Sequence, residues 1–280
     1  IVAGVIAIGS IVMFTTQGFR MGVDLEGGRQ YRVEFSENQP PAEEVSKVLT
    51  TKFDNKTPVV RTVGGENEYI ITTNYLADVS GEGAQAADEK VQKRLLEGLS
   101  QFGVEKNDLL GATKVGPTIA KDIQNAAISS VIFALIVIFL YVFIRFRHWQ
   151  YGLGALSSLT FNVLVVLGIF SILGQIDALP FSVEINQPII AALLTIVGYS
   201  INDTVVVFDR IREVVRDDKT GSKLSVLYNR AINDTLSRTI VTSLTTLLTA
   251  LILFFFGGES IQGFMFALII GIIVGTLSSI

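Results

Sequence analysis

Five apolar stretches without a charge, or with only one, dominate this sequence, and each is long enough to cross a lipid bilayer. Residues Ile123–Ile144 and Tyr151–Gly174 carry no Asp, Glu, Lys or Arg. Pro188–Phe208 carries only Asp203, and Thr239–Phe256 and Ile261–Ile280 carry none. A hydrocarbon core demands roughly 20 such residues per helix, because every backbone polar group must be satisfied within the span. A sixth run, Ile1–Phe14, is shorter and lacks the basic flank of a signal peptide. Ile1 is not a start methionine, and Ile280 falls inside an apolar run. The chain is therefore expected to be a piece of a longer protein with a truncated first span. The fold class expected is a multi-pass α-helical membrane protein of six transmembrane helices.

Between the first and second runs the character changes. Residues 18–122 are polar and charged and hold two Gly–Gly pairs, Gly27-Gly28 and Gly64-Gly65. Arg29–Ser36 alternates as a strand. Pro41–Phe53 has helical spacing, with Val45, Val48 and Leu49 on one face. Pro58–Val63 and Glu68–Thr73 read as strands joined across Gly64-Gly65. Ala86–Phe102 reads as a helix with Val91, Leu95, Leu96 and Leu99 inward, and Leu109–Val115 as a last strand. The order β-α-β-β-α-β is the ferredoxin-like arrangement. The expected division is residues 1–19 as a membrane helix, 20–120 as a small α+β domain, and 121–280 as five further spans.

Loop charge orients the chain. Arg145 and Arg147 lie between the second and third spans. Arg210, Arg212, Arg216, Lys219, Lys223 and Arg230 lie between the fourth and fifth. The loops 175–186 and 257–260 hold no Lys or Arg. Basic loops stay in the cytoplasm, so the α+β domain is expected on the outer, periplasmic face. Trp149 and Tyr151 fall where an interfacial aromatic anchor belongs.

Asp203 is the candidate functional group. Counted from Pro188 it lies about 22 Å along the helix, within the cytoplasmic half of the bilayer. A charged Asp at a span centre costs roughly 2.5–3.5 kcal/mol, and such groups mark ion or proton pathways. Thr195, Tyr199, Asn202 and Asp203 share one polar helix face by their i, i+4, i+7, i+8 spacing, and that face is expected to look into the bundle. Arg238, at the start of the fifth span, is the expected partner, with a hydroxyl stripe of Thr242, Thr245, Thr246 and Thr249 beyond it. Asn162 is a further polar residue within a span. The plain alternatives are a structural ion pair for Asp203 and an Arg238 that snorkels to lipid phosphates. The net charge of −4 does not suggest nucleic-acid binding. With no cysteine there is no disulfide or Cys-ligated metal; neither a His/carboxylate cluster nor a Gly-x-x-x-x-Gly-Lys-Ser/Thr loop occurs. No metal and no cofactor is expected, and energy must come from an ion gradient or a partner.

At these residues the sequence resembles a known family. Gly198–Glu213, reading Gly-Tyr-Ser-Ile-Asn-Asp-Thr-Val-Val-Val-Phe-Asp-Arg-Ile-Arg-Glu, is similar to the signature of the SecF protein-export membrane proteins. Val115-Gly116-Pro117-Thr118, Asn233–Thr239 and Phe256-Gly257-Gly258-Glu259 agree with it as well. The resemblance implies a non-enzymatic accessory subunit of the Sec translocase. It would work with SecD, or with a SecD-like half of the same chain, in a body like that of resistance–nodulation–division transporters. It also implies the SecYEG channel and preproteins as partners, membrane lipids around it, and the proton-motive force as energy source. The family's membrane aspartate and arginine map to Asp203 and Arg238. Two departures stand out: Asp24-Leu25-Glu26-Gly27-Gly28 leans toward the SecD form, and Phe161-Asn162 replaces a His-Asp pair common among relatives. A small-molecule exporter half of the same superfamily is the competing reading; such pumps usually carry larger outer domains.

Overall fold

A computed structural model describes residues 9–12, 15–16, 18–35, 40–63, 67–79, 83–174, 176, 179, 181, 183–219 and 221–279. Most of the expected first span and the Gly64-Gly65 turn lie outside the described residues. The chain forms two units: residues 20–126 with 176–187, and residues 1–19 with 127–175 and 188–280.

The first unit is an α+β sandwich. Strands β1 (Gly28–Glu34), β2 (Val59–Val63), β3 (Glu68–Thr73) and β4 (Leu109–Val115) form one sheet in the order β2-β3-β1-β4. Every neighbouring pair is antiparallel, with Tyr31 opposite Ile71 on one side and Ala112 on the other. The expected β-α-β-β-α-β order is the one observed. Alternation decides which face is covered. Arg29, Tyr31 and Val33 of β1 and Tyr69, Ile71 and Thr73 of β3 are buried, whereas Arg32 and Glu34 are exposed.

Helix α1 (Ala42–Lys52) and helix α2 (Ala84–Leu99) supply the other half of the core. Val45 and Leu49 from α1, Val91, Leu95 and Leu99 from α2, and Phe35 and Phe53 pack with Tyr31, Val33 and Ile71. Helix α1 has Glu43 and Glu44 in its first turn and Lys52 in its last, matching the helix dipole. It ends where Asp54 and Asn55 turn left-handed. Helix α2 is shorter than its apolar period suggests. Ser100–Phe102 tightens into a 3₁₀ turn that closes on Gly103 at φ 77°, so Phe102 packs beside the core from outside the helix. Arg29 is 2% exposed; it donates to Asp88 of α2 and, at 2.8 Å, to the carbonyl of Tyr75. Burial pushes the neighbouring Tyr31 hydroxyl up to about 12. Gly28 has φ 137°, and a Cβ there would stand 2.8 Å from the Thr73 carbonyl oxygen. Only glycine lets β1 run this close to β3 at its start.

The second unit is helical. Its long elements are α3 (Pro117–Phe146, whose first ten residues belong to the first unit), α4 (Trp149–Leu173), α5 (Gln187–Asp217), α6 (Leu224–Phe256) and α7 (Glu259–Ser279). All are long and apolar enough to cross a membrane. Helices α5 and α6 run well past the apolar stretches, because their charged segments continue as helix beyond the bilayer. Ile211, Val214, Leu227 and Ala231 close that extension with a small apolar cluster of its own. Asp218 caps its turn by accepting from the Ser222 N–H at 2.9 Å, and Gly221 takes φ 67°. Small residues set the helix approaches: Gly152 meets Phe139 of α3, and Gly154 meets Phe208 of α5. Phe208 also packs edge-to-face with Tyr151 and Phe146. Helix α3 presents Phe133 and Ile144 outward, an apolar side suited to lipid.

Candidate functional site

Helix α5 turns one line of residues into its bundle: Ile189, Ala192, Leu193, Ile196, Ser200, Asp203, Thr204 and Val207 are all buried. Asp203 is therefore held inside protein, at 4% exposure, by the same face that packs the helix. Its direct partner comes from α6. Ser243 donates to Asp203 Oδ2 at 3.5 Å. The Ser243 hydroxyl in turn accepts from Thr276 of α7 at 2.7 Å and from Tyr199 at 3.4 Å. One turn from Asp203, Asn162 of α4 donates to the Ser200 hydroxyl at 2.8 Å, while its Oδ1 is buried without a partner among the described residues. Four helices thus converge on a polar track within an apolar bundle. Polar side chains at this depth are retained where they hydrogen-bond across helices or carry an ion.

The structure brings some of the expected residues together and separates others. Tyr199, Asn162 and Asp203 belong to the track. Thr195 and Asn202 do not: both are exposed on the chain, and Thr195 donates back to the Ala191 carbonyl. The reason is angular. Successive residues differ by about 100°, so a packing line through Ser200 and Asp203 leaves Asn202 outside. The threonine stripe of α6 is likewise turned outward. Thr245, Thr246 and Thr249 are exposed and Thr242 is half-buried. Each donates to a carbonyl of its own helix, Thr242 to Arg238 and Thr246 to Thr242, both at 3.0 Å. The buried line of α6 is Thr235, Thr239, Ser243 and Ala250. Its i, i+4, i+8 spacing was available in the sequence, but the more numerous threonines masked it.

Arg238 is exposed and makes no ion pair among the described residues. It lines an open cleft of about 340 Å³ with Arg145, Asp209, Arg210, Glu213 and Asp234. In that cleft Arg210 of α5 binds Asp234 of α6 through two nitrogens, at 2.6 and 3.0 Å, and Glu213 at 2.6 Å. The charge-rich segment after Phe208 thereby fastens the two helices that carry Asp203 and Ser243. The Ser243 bond to Asp203 is long, and a net hydrogen bond contributes only ~1 kcal/mol. Ser243→Ala is thus expected to slow any Asp203-dependent transport by no more than about fivefold, measured as ion flux in reconstituted vesicles.

Comparison with known proteins gives this geometry its context. Residues 97–280 match the family model described as protein export membrane protein SecD/SecF, C-terminal, and residues 12–39 match the SecD/SecF GG motif. The protein translocase subunit SecF of Rhodothermus marinus is 45% identical over 279 residues, 99% of this chain and 85% of that protein. SecF of Helicobacter pylori is 33% identical over 280 residues, covering all of this chain and 80% of its own. Among solved structures, SecDF from Thermus thermophilus, described as a translocon-associated membrane protein, superposes with a TM-score of 0.83 at 36% identity. The match covers 100% of this chain and 35% of that longer one. A second structure, SecDF in a super-membrane-facing form, matches with a TM-score of 0.65 at 34% identity, over 99% of this chain and 35% of that one. The chain belongs to the SecD/SecF family of protein-export membrane proteins, as a SecF-type protein translocase subunit.

Proposed function

We propose that this chain uses the proton-motive force, together with SecD or a SecD-like half, to promote preprotein export through the SecYEG channel. The observation that carries this reading is a carboxylate, Asp203, buried in a membrane-crossing helix and bonded, among the described residues, to hydroxyl chemistry alone. A group in that setting gains and loses a proton at the expense of its neighbours' arrangement. Asp203 is the proton carrier in this reading, and Arg238 is the cation that favours its release. Tyr199 and Asn162 support the track. Thr195, Asn202 and Thr242 line the outward faces of α5 and α6, where the second membrane half would meet them. The α+β domain stands on the periplasmic side of the inner membrane and meets the emerging preprotein. The chain performs no bond chemistry; its work is movement driven by proton flow.

The test is the gradient itself. In inverted membrane vesicles containing the complete complex, with ATP held constant, a protonophore is expected to slow late preprotein translocation to the rate of vesicles lacking this subunit. An unchanged rate after collapse of the gradient removes the proton coupling from the proposal.

A further inference from the structure

The stretch 175–186 reads in the sequence only as a loop without Lys or Arg. In the structure its last residues are built into the α+β unit. Met21 and Ile185 form a parallel bridge. The Gly22 N–H donates to the Ile185 carbonyl at 2.8 Å, and the Ile185 N–H donates to the Arg20 carbonyl at 2.8 Å. Val183, Glu184 and Ile185 are all buried. Glu184 pairs with Arg61 of the edge strand β2 at 3.1 Å, with both side chains largely covered. Burial holds the Glu184 carboxyl above the usual carboxylate range, against the pull of Arg61 and Arg20 and with the push of Glu26 and Asp24. An ion pair kept under that penalty is costly to break on one side alone.

The clasp runs straight into a membrane helix. Asn186 precedes Gln187, the first residue of α5. There is no slack between the fastened segment and the helix that carries Asp203 about 24 Å further on. We propose that Val183–Asn186 is a coupling strap, which holds the outer end of α5 to the base of the α+β domain and passes displacement of that helix to it. Glu184 and Arg61 are its positioning residues. They touch neither proton nor preprotein and act by keeping the strap closed. The proposal rests on the proton-driven reading of Asp203, and adds the route by which movement leaves the membrane.

The absence of native cysteine makes the test clean. A Cβ on Gly22 would lie 3.1 Å from that of Asn186, a few tenths of an ångström inside the roughly 3.5–4.5 Å of a disulfide, so a small outward shift admits the bond; Gly22 has φ −71°, open to any residue. In the complete complex, a Gly22→Cys/Asn186→Cys pair is expected to oxidise and to export at the wild-type rate, because a closed strap is the working state. Glu184→Arg or Arg61→Glu alone is expected to cut export by about fivefold or more, with Asp203-dependent proton flux retained. The two reversals together are expected to restore export. Loss of export on oxidation, with recovery on reduction, overturns the proposal, as do single reversals that leave export unchanged or a double reversal that fails to rescue. Flux that does not depend on Asp203 at all overturns the proton-driven reading instead, so the two failures are told apart in the same vesicles.

Discussion

Asp203→Asn is expected to abolish gradient-driven export while leaving the protein folded and assembled. The amide has the carboxylate's shape, still accepts from Ser243 and fills the same place in the buried line of α5. A neutral amide also sits in a span at lower cost than a carboxylate, so expression should not fall. What is lost is the ability to take up and release a proton. Replacing a proton-transferring side chain with one that cannot transfer typically costs roughly a hundredfold or more. The measurement is proton flux by a pH-sensitive dye in vesicles holding the complex, with export scored in parallel. Asp203→Glu keeps the carboxyl but adds a methylene to a packed site, and is expected to retain part of the flux. Wild-type flux in Asp203→Asn would remove Asp203 from the pathway.

How much of this was legible in the sequence depends on the kind of signal. The α+β domain was written in local periods: Val45 and Leu49 at helical spacing, Tyr31 and Val33 at strand spacing. Its sheet order then has few alternatives. The membrane spans were legible as apolar runs, but the helix ends were not. Hydropathy reports what faces lipid, and α5 and α6 continue as helix where their residues become charged. Asp203 announced itself because a charge in an apolar run is anomalous. Its partner did not, because which line of α6 faces α5 is a rotation about the helix axis. That rotation is set by packing, and the outward threonines need no bundle once they bond to their own carbonyls. The strap was invisible for a related reason: Glu184 and Arg61 are far apart in the chain, and nothing local pairs them.

The second large effect belongs to a residue with no chemistry. Gly271→Val is expected to destabilise the bundle by about 1–3 kcal/mol or more, the cost of overpacking a filled interior. A Cβ on Gly271 would overlap the Ile196 side chain of α5, standing 2.8 Å from its Cγ2 and closer still to the rest. Ile196 is 1% exposed and has nowhere to swing, so α7 must move away from α5. One turn on, a Cβ on Gly275 would lie 3.2 Å from the Ser200 hydroxyl and 3.5 Å from Asn162 Nδ2, so the bare backbone of α7 passes close to both. The same shift would therefore open the polar track and withdraw Thr276 from Ser243. Gly198→Ala is the control, since no atom lies within 4 Å of its Cβ, and it is expected to fold like the wild type. Ile196→Ala in the Gly271→Val background is expected to recover much of the lost stability, because the methyls removed are those the valine displaces. Thermal unfolding of the purified chain in detergent reads all three. If Gly271→Val melts with the wild type, α5 and α7 are not in the close contact that aligns Ser200, Asn162 and Asp203.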